Sequence, residues 1–515
     1  MKLSVTDSLG LGQLKQVISD GPDAPSEEKR QGYRRIVMET IMALSSRING
    51  LVWGIPMLVL MVGCGIFMSS RLGFVQFRRF GYTMRNTLGK MFDKTEVEDG
   101  ALSPVQAMTT ALAGTVGTGS IAGVAGAIAL GGPGAVFWMW VAALFGMCTK
   151  FSEITLAVRY REKNEDGEWI GGPMYYIKNG LGKHWKWLGG LFAFFAACAA
   201  FGTGNMAQIN TIATSIGSIF KAFDPAFTDA QLKTVYIVVG VAGAALTALV
   251  LFGGMKRIGA VTEKLVPVMA LAYVACTAIV VFGHIGQIGF VFRQIFQGAF
   301  NPSAIGGGMA GAAILAVAKA GIGRGVFSNE AGLGTAPIAH ASANVKHPVQ
   351  QGIFGIFEVF TATFVICTMT ALAILMSGMA PQFYGKSAGT DLTILAFGTT
   401  MGTKIASIVI ALSIAMFAFS TILGWALYGV RSMEFLLGSK AVKPYQVIYV
   451  LMVFVGANLE LALVWQIADT LNALMAIPNL IAVIALSPEV VRLTKEFFSR
   501  EDQNAEKEKE DELAE

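Results

Sequence analysis

"ALAGTVGTGSIAG", Ala111 to Gly123, decides how this chain is read. It lies inside an apolar stretch, residues 104–129, that is long enough to cross a bilayer. Yet Gly114, Gly117 and Gly119 alternate there with Thr115, Thr118 and Ser120. Both residue types are poor in helix interiors, Gly costing about 1 kcal/mol against Ala. In hydrocarbon every backbone N–H and C=O needs a partner, so an unwound stretch survives only where it lines a cavity or is buried in protein. Close helix packing explains small residues at every fourth position, as in the Gly119 and Gly123 pair. Glycines at every second or third position predict instead a helix that breaks.

The rest of the chain sets the context. Of 515 residues 54% are hydrophobic and only 14% charged, against about 25% charged in soluble proteins. Recurrent apolar runs make this an all-α membrane protein. Eleven transmembrane spans are expected, near 50–70, 104–129, 133–158, 186–218, 233–253, 260–282, 303–336, 350–378, 403–429, 443–459 and 462–487. The fourth and seventh are too long for one straight crossing, so each is bent or interrupted. Residues 289–300 are too short to cross and read as a helix at the interface. Cys64, Cys148, Cys198, Cys276 and Cys367 all fall in apolar runs without CxxC spacing, as core residues do.

A second interruption follows in span seven, "AKAGIGRGVFSNEAGLGTAPIAH", Ala318 to His340. Spans two and seven are an odd number of spans apart and so cross in opposite directions. Paired interruptions at matching positions point to a transporter's central site and to inverted repeats. The expected division is a polar tail over 1–49, a peripheral helix over 50–70, and five-helix repeats over 104–282 (spans 2–6) and 303–487 (spans 7–11), with a charged tail over 488–515. Span nine adds the adjacent hydroxyls Ser420 and Thr421. Alone, such hydroxyls bond their own i−4 carbonyl; beside freed carbonyls they suit a hard cation such as Na⁺. Asn205, Gln208 and Asn210 in span four read equally as interhelical glue or as ligand contacts.

Basic residues concentrate in alternate loops, from Arg71–Lys94, Arg159–Lys186, Lys256–Arg257 and Arg431–Lys443. By the positive-inside rule those loops and the C-terminus are cytoplasmic, which puts the N-terminus outside. The seven Lys and Arg of the N-terminal tail run against that rule. Part of that tail, residues 33–48, has the pattern of an amphipathic surface helix. The last fifteen residues read as a solvated acidic tail. Basic residues spread over loops give no nucleic-acid footprint. There is no HExxH, and the glycine motif lacks the strand and Lys of a phosphate loop, which argues against an enzyme. A channel would more usually place its symmetry between subunits.

Assembled, these stretches closely resemble the alanine or glycine:cation symporter family, the sodium:alanine symporters. The likeness runs from about Gly50 to Val490 and is most specific in "TTALAGTVGTGSIAGVAGAIALGGPGAVFWMWV", "GGPMYYIKNGLG" and "RGVFSNEAGLGTAPIAHASA". It implies the leucine-transporter (LeuT) fold with a 5+5 inverted repeat. The implied activity is import of a small neutral amino acid (alanine, glycine or D-alanine) across a bacterial inner membrane with Na⁺. A symporter of the same fold coupled to H⁺, or carrying serine, is the alternative.

By this resemblance the N–H groups of Thr118 and Gly119 hold the substrate carboxylate, and carbonyls near Gly114 and Thr115 accept from its ammonium. The carbonyls of Ala113, Val116 and Phe417 join the hydroxyls of Ser420 and Thr421 as the Na⁺ site. Gln208 and Trp425 are pocket walls, with Phe201 and Phe417 adding bulk. Asn329 either binds substrate or ties the second break together. Ser120 stands where a leucine transporter has the Asn of a second Na⁺ site, which argues for one Na⁺ site. Among the ionisable residues in spans, Glu153 and Glu358 are expected to be structural, near Lys150 and Arg159. Asp469 remains a proton-carrier candidate, and Lys319 and Arg324 flank the second break. No ionisable group is expected beside the first break.

Overall fold

A computed structural model describes residues 40, 42–91, 97–301, 310–386, 388–459 and 462–514. Most of the N-terminal tail lies outside the described residues; residues 42–49 are helical and lead into the first apolar run. Nine helices among the described residues are long and apolar enough to cross a membrane. The stretches expected as spans two and seven are not among them, and neither is one continuous helix.

The peripheral helix is α1 (Ile55–Arg71). The first broken segment starts as α2 (Pro104–Thr115) and resumes as α3 (Ala122–Gly131). Its start is fixed by chemistry: Pro104 occupies the first turn, and Ser103 and Gln106 exchange side-chain and backbone hydrogen bonds at 3.0 and 3.2 Å. Then α4 (Gly134–Arg159) crosses, followed by a two-stranded hairpin, β1 (Glu162–Lys163) and β2 (Trp169–Ile170), a small departure from an all-helical chain. The long fourth span is interrupted as expected. A π-helical stretch, Gly202–Met206, joins α5 (Lys186–Phe201) to α6 (Ala207–Phe223). The first half closes with α7 (Asp229–Leu251) and α8 (Gly254–Gly283).

The second broken segment is α9 (Ala310–Asn329) and α10 (Ala336–His340). Glu330, Gly332 and Gly334 all have positive φ, at 55°, 92° and 80°. Three left-handed residues in five end a right-handed helix. Next come α11 (Pro348–Val359) and α12 (Thr368–Met376), joined by a π stretch at Phe360–Cys367. After these lie α13 (Thr403–Leu437), α14 (Val442–Asn458), α15 (Ala462–Ala485) and α16 (Ser487–Ala514). The helix Ile288–Phe300 buries only Val291, Ile295, Gly298 and Ala299, in keeping with an interfacial position. A further short helix, Thr390–Met401, had no counterpart in the sequence reading.

Packing places the breaks. α4 packs along α9 and α11, while α13 runs against α2, α5 and α6. Contact at α13 is close enough that a Cβ on Gly424 would sit 2.7 Å from the Gly114 nitrogen. The five cysteines are free, and Cys64, Cys148 and Cys367 are buried, as core residues should be.

The expected solvated tail begins as helix, tied to the rest of the protein at Glu501 and at Asp502, whose side chain stays 54% exposed. α16 continues through them to Ala514, and Phe497 and Phe498 are buried at 5% and 7% exposure. Glu501 accepts from the Tyr82 hydroxyl at 2.8 Å, and Asp502 takes both terminal guanidinium nitrogens of Arg79 at 2.6 and 2.8 Å. Apolar anchors lie upstream in the same helix. At its start Glu489 is held by Arg492 and Arg159, which lower its pKa to about 2. A depressed carboxyl contributes stability that is present above its unfolded pKa of 4.5 and lost as pH falls toward 2. Thermal unfolding of the solubilised protein between about pH 6 and about pH 3 should therefore show a pH-dependent loss that Glu489→Gln reduces.

Candidate functional site

The first break leaves its own backbone unpaired. Gly117 N–H turns back to Thr115 O at 3.1 Å, and a single 3₁₀ turn covers Thr118–Ser120. The carbonyls of Ala113, Gly114 and Val116 have no backbone donor among the described residues, and the N–H groups of Thr118 and Gly119 have no acceptor there. Such groups buried away from water require a partner.

Part of the answer is α13. Thr421 Oγ1 lies 3.0 Å from Ala113 O and 3.0 Å from Phe417 O. Ser420 Oγ lies 2.8 Å from Phe417 O and 3.4 Å from Ala113 O. Four oxygens from two elements thus converge with only two hydroxyl protons among them. Val116, the fifth residue expected in this set, is fully buried on the same break. Gly117 makes the approach feasible, because a Cβ there would collide with Thr421 Oγ1.

Beside these oxygens is a small cavity lined by Gly114, Thr115, Gly117, Gly119, Gln208, Thr421 and Trp425, and also by Thr203, Phe327, Glu330, Leu333 and Asn472. Most of its lining is buried, with Trp425 1% exposed, Gln208 2% and Glu330 3%, while Phe327 is half-buried. The structure therefore gathers Gly114, Thr115, Gly119, Gln208 and Trp425 as the sequence grouped them. Thr118 sits on the break but not on the cavity wall, and Asn329 lies behind it. The Asn329 side chain donates to Thr363 Oγ1 at 3.2 Å and accepts from Ala331 N–H at 3.0 Å, so it ties the second break together. Phe201 and Phe417 are not pocket walls. Phe201 packs on Tyr445 and Tyr449, and Phe417 meets Tyr273 edge-on. The aromatic walls are Trp425 and Phe327.

Ionisable groups do sit at the first break, contrary to expectation. Glu330 accepts from Trp425 Nε1 at 3.0 Å, Thr335 Oγ1 at 2.7 Å and Thr115 Oγ1 at 3.3 Å. Its left-handed backbone, uncommon for a residue with a side chain, places it there. Lys150 of α4 is fully buried and directs its ammonium to Asn329 O at 2.8 Å, Thr115 Oγ1 at 3.2 Å and Glu358 at 3.0 Å. Glu358 also meets His340 Nε2 at 2.5 Å, and Gln351 links His340 to Pro104 O. One buried charged network thereby joins both breaks, α4 and α11. Glu153 bonds Asn479, which also donates to Gly332 O at 2.9 Å. Both carboxylates have structural settings. Lys319, Arg324 and Asp469 instead line another cavity with Asn49 and Trp53, and Phe327 borders both cavities.

Missed residues fall into two kinds. Glu330 was visible as a charge inside an apolar run, the usual sign of function, and Lys150 was read as an ion-pair partner but not as a neighbour of the first break. Phe327, Leu333 and Asn472 carried no local signal.

Two unwound segments that meet at a small polar cavity, within membrane-length helices, define a multi-pass membrane transporter. The solved structure of MhsT in complex with L-phenylalanine has the same architecture, with a TM-score of 0.51 over 77% of this chain and 99% of that one. At 13% identity this is a likeness of fold alone, and it is LeuT-like. The chain belongs to the sodium:alanine symporter family, whose sequence pattern matches residues 38–512, and so is a transporter rather than an enzyme. It is 44% identical to the sodium/alanine symporter AgcS of Methanococcus maripaludis, over 88% of this chain and 97% of that relative. It is 38% identical to the amino-acid carrier protein AlsT of Bacillus subtilis, over 86% and 90%. It is also 37% identical to the probable sodium/glutamine symporter GlnT of the same organism, over 90% and 91%.

The glycines of the opening motif are separable by experiment. A methyl at Gly117 meets Thr421, whereas a methyl at Gly123 meets nothing within 4 Å. Gly117→Ala should cut uptake about tenfold or more, as expected of overpacking, and Gly123→Ala should leave it within about twofold. Uptake assays at matched expression compare the two.

Proposed function

We propose that this chain imports a small neutral amino acid, alanine or glycine with D-alanine accepted, together with Na⁺ by alternating access. The observation that carries this reading is the convergence of Ala113 O, Phe417 O, Ser420 Oγ and Thr421 Oγ1 beside a small cavity with unpaired N–H groups. A hard cation takes oxygen ligands of this kind, and we assign the Na⁺ to them, with Val116 O as a further ligand. The N–H groups of Thr118 and Gly119 take the substrate carboxylate at the start of a half-helix. Trp425, Phe327 and Leu333 wall a small cavity, which suits a small side chain. A 44% identical relative named as a sodium/alanine symporter supports the same substrate class.

We count each broken helix as one crossing beside the nine long helices, which supports eleven spans, and we read them as a 5+5 repeat over 104–282 and 303–487. The C-terminus is cytoplasmic, the N-terminus outside, and the membrane is the inner membrane of a bacterial cell. The moving bundle comprises α2/α3, α4, α9/α10 and α11/α12. At the expected cytoplasmic ends Leu102 exchanges backbone hydrogen bonds with Ser342 and Asn344, each 2.8 Å. Arg161 caps the Ala341 and Ala343 carbonyls there. Inward opening requires these ties to part.

A second reading, coupling to H⁺, draws on the Glu330 carboxylate at the cavity. Proteoliposomes loaded for Na⁺, K⁺ or proton gradients separate the two. [³H]Alanine uptake should follow the Na⁺ gradient alone and be competed by glycine. Thr421→Ala should raise the Na⁺ concentration for half-maximal uptake about tenfold, the order expected when a cation loses one ligand. An unchanged Na⁺ dependence in that variant would remove the site assignment, and uptake driven only by protons would move the coupling to Glu330.

A further inference from the structure

Apart from the helix break, the cavity's polar side chains leave acceptors unmet. Gln208 donates its amide to Thr203 O at 2.9 Å, which fixes its orientation, because a carbonyl accepts only from the NH₂ end. Its Oε1 is then buried without a donor, facing Gly117 at 3.4 Å from where a Cβ would stand. Asn472 of α15 places its amide nitrogen 2.8 Å from the Thr203 hydroxyl and its Oδ1 buried without a donor. Asn472 is 0% exposed and Gln208 2%. The Glu330 carboxylate joins them on the cavity wall. Of the roughly four lone-pair positions of a carboxylate, Trp425 and Thr335 fill two, and the Thr115 hydroxyl at 3.3 Å divides its one proton between Glu330 and the nearer Ala111 O at 2.9 Å. No Lys, Arg or His nitrogen lies within ion-pair distance of Glu330 among the described residues. Lys150, the nearest buried ammonium in the network, already has three partners, Asn329, Thr115 and Glu358.

A buried carboxylate and two orphaned amide oxygens cannot be satisfied by another acceptor. They fit a cation that carries several N–H donors, and a primary ammonium has three. Trp425 and Phe327 complete the wall beside them. We infer that Glu330, Gln208 Oε1 and Asn472 Oδ1 form a cradle for the cationic amine of the substrate, which makes the chain select amino acids over the matching hydroxy acids. This deepens the amino-acid reading above and rests on it. Carboxylate recognition stays with the first break, whose carbonyls near Gly114 and Thr115 share the ammonium with this cradle from the second break, α6 and α15.

The test uses the full-length protein in nanodiscs with saturating Na⁺. Calorimetric affinities are measured for the pairs alanine and lactate, and glycine and glycolate, with methylammonium as a bare amine. Bound ²²Na⁺ is counted in parallel. Wild type should prefer each amino acid to its hydroxy acid by at least about tenfold, as sites built around a specific donor do. Glu330→Gln, which keeps the shape and can still accept from Trp425, should weaken alanine by about tenfold or more while lactate moves less than about twofold. Asn472→Leu should shift the same ratio in the same direction, and it decides the matter alone if Glu330→Gln does not fold. Equal loss of alanine and lactate in both variants would make the residues structural and overturn the inference. So would a drop in bound Na⁺ with an unchanged ratio, since the oxygens would then hold a second cation. If wild type binds no alanine or glycine, the amino-acid reading has failed. Methylammonium binding that needs Glu330 would then still uphold the cradle, and its absence would remove both.

Discussion

A peptide group without a hydrogen-bond partner is among the costliest things to place inside a membrane. This chain does so twice, at 116–121 and at 330–335, and much of the remaining structure supplies the compensation. α13 brings two hydroxyls to the first break. Lys150 brings an ammonium to the carbonyl of Asn329 at the second and to the side chain of Thr115 at the first. Glu358, His340 and Gln351 then neutralise and orient that lysine. Of the residues whose backbone stays unpaired after this compensation, Gly114 and Gly119 line the cavity, so the backbone defect and the candidate site adjoin each other.

The arrangement also gives coupling a physical route. Thr421 and Trp425 are one turn apart on α13; the first touches Ala113 O of the break, and the second holds Glu330 of the other broken segment. A cation at the Thr421 oxygens and a zwitterion beside Trp425 would therefore share one rigid element and one broken backbone. Each ligand orders groups that the other uses. Linkage requires that the two affinities rise by the same factor.

Much of this was legible in the sequence, because the breaks are written locally. The rhythm of Gly114, Gly117 and Gly119 and the cluster Gly332 and Gly334 mark unwound backbone wherever they occur. Ser420 and Thr421 were legible as neighbours on one helix face, and Gln208 and Trp425 came with the family resemblance. The unread parts depend on tertiary approach. Asn472 is far along the chain from the first break and looks like any amide in a membrane helix until the fold sets it beside Thr203. Glu330 was read as part of a glycine-rich signature, yet its positive φ is what directs the carboxylate to the cavity. The contacts of Glu501 and Asp502 with Tyr82 and Arg79 were not legible either, because they join residues 419 and 423 positions apart.

The measurement that bears most directly on the central claim is alanine affinity of the purified protein as a function of Na⁺ concentration, paired with Na⁺ affinity as a function of alanine. A shared site at the first break predicts that each ligand tightens the other by one common factor, and that Thr421→Ala abolishes this factor. Alanine binding that is indifferent to Na⁺ in the wild-type protein would contradict the account.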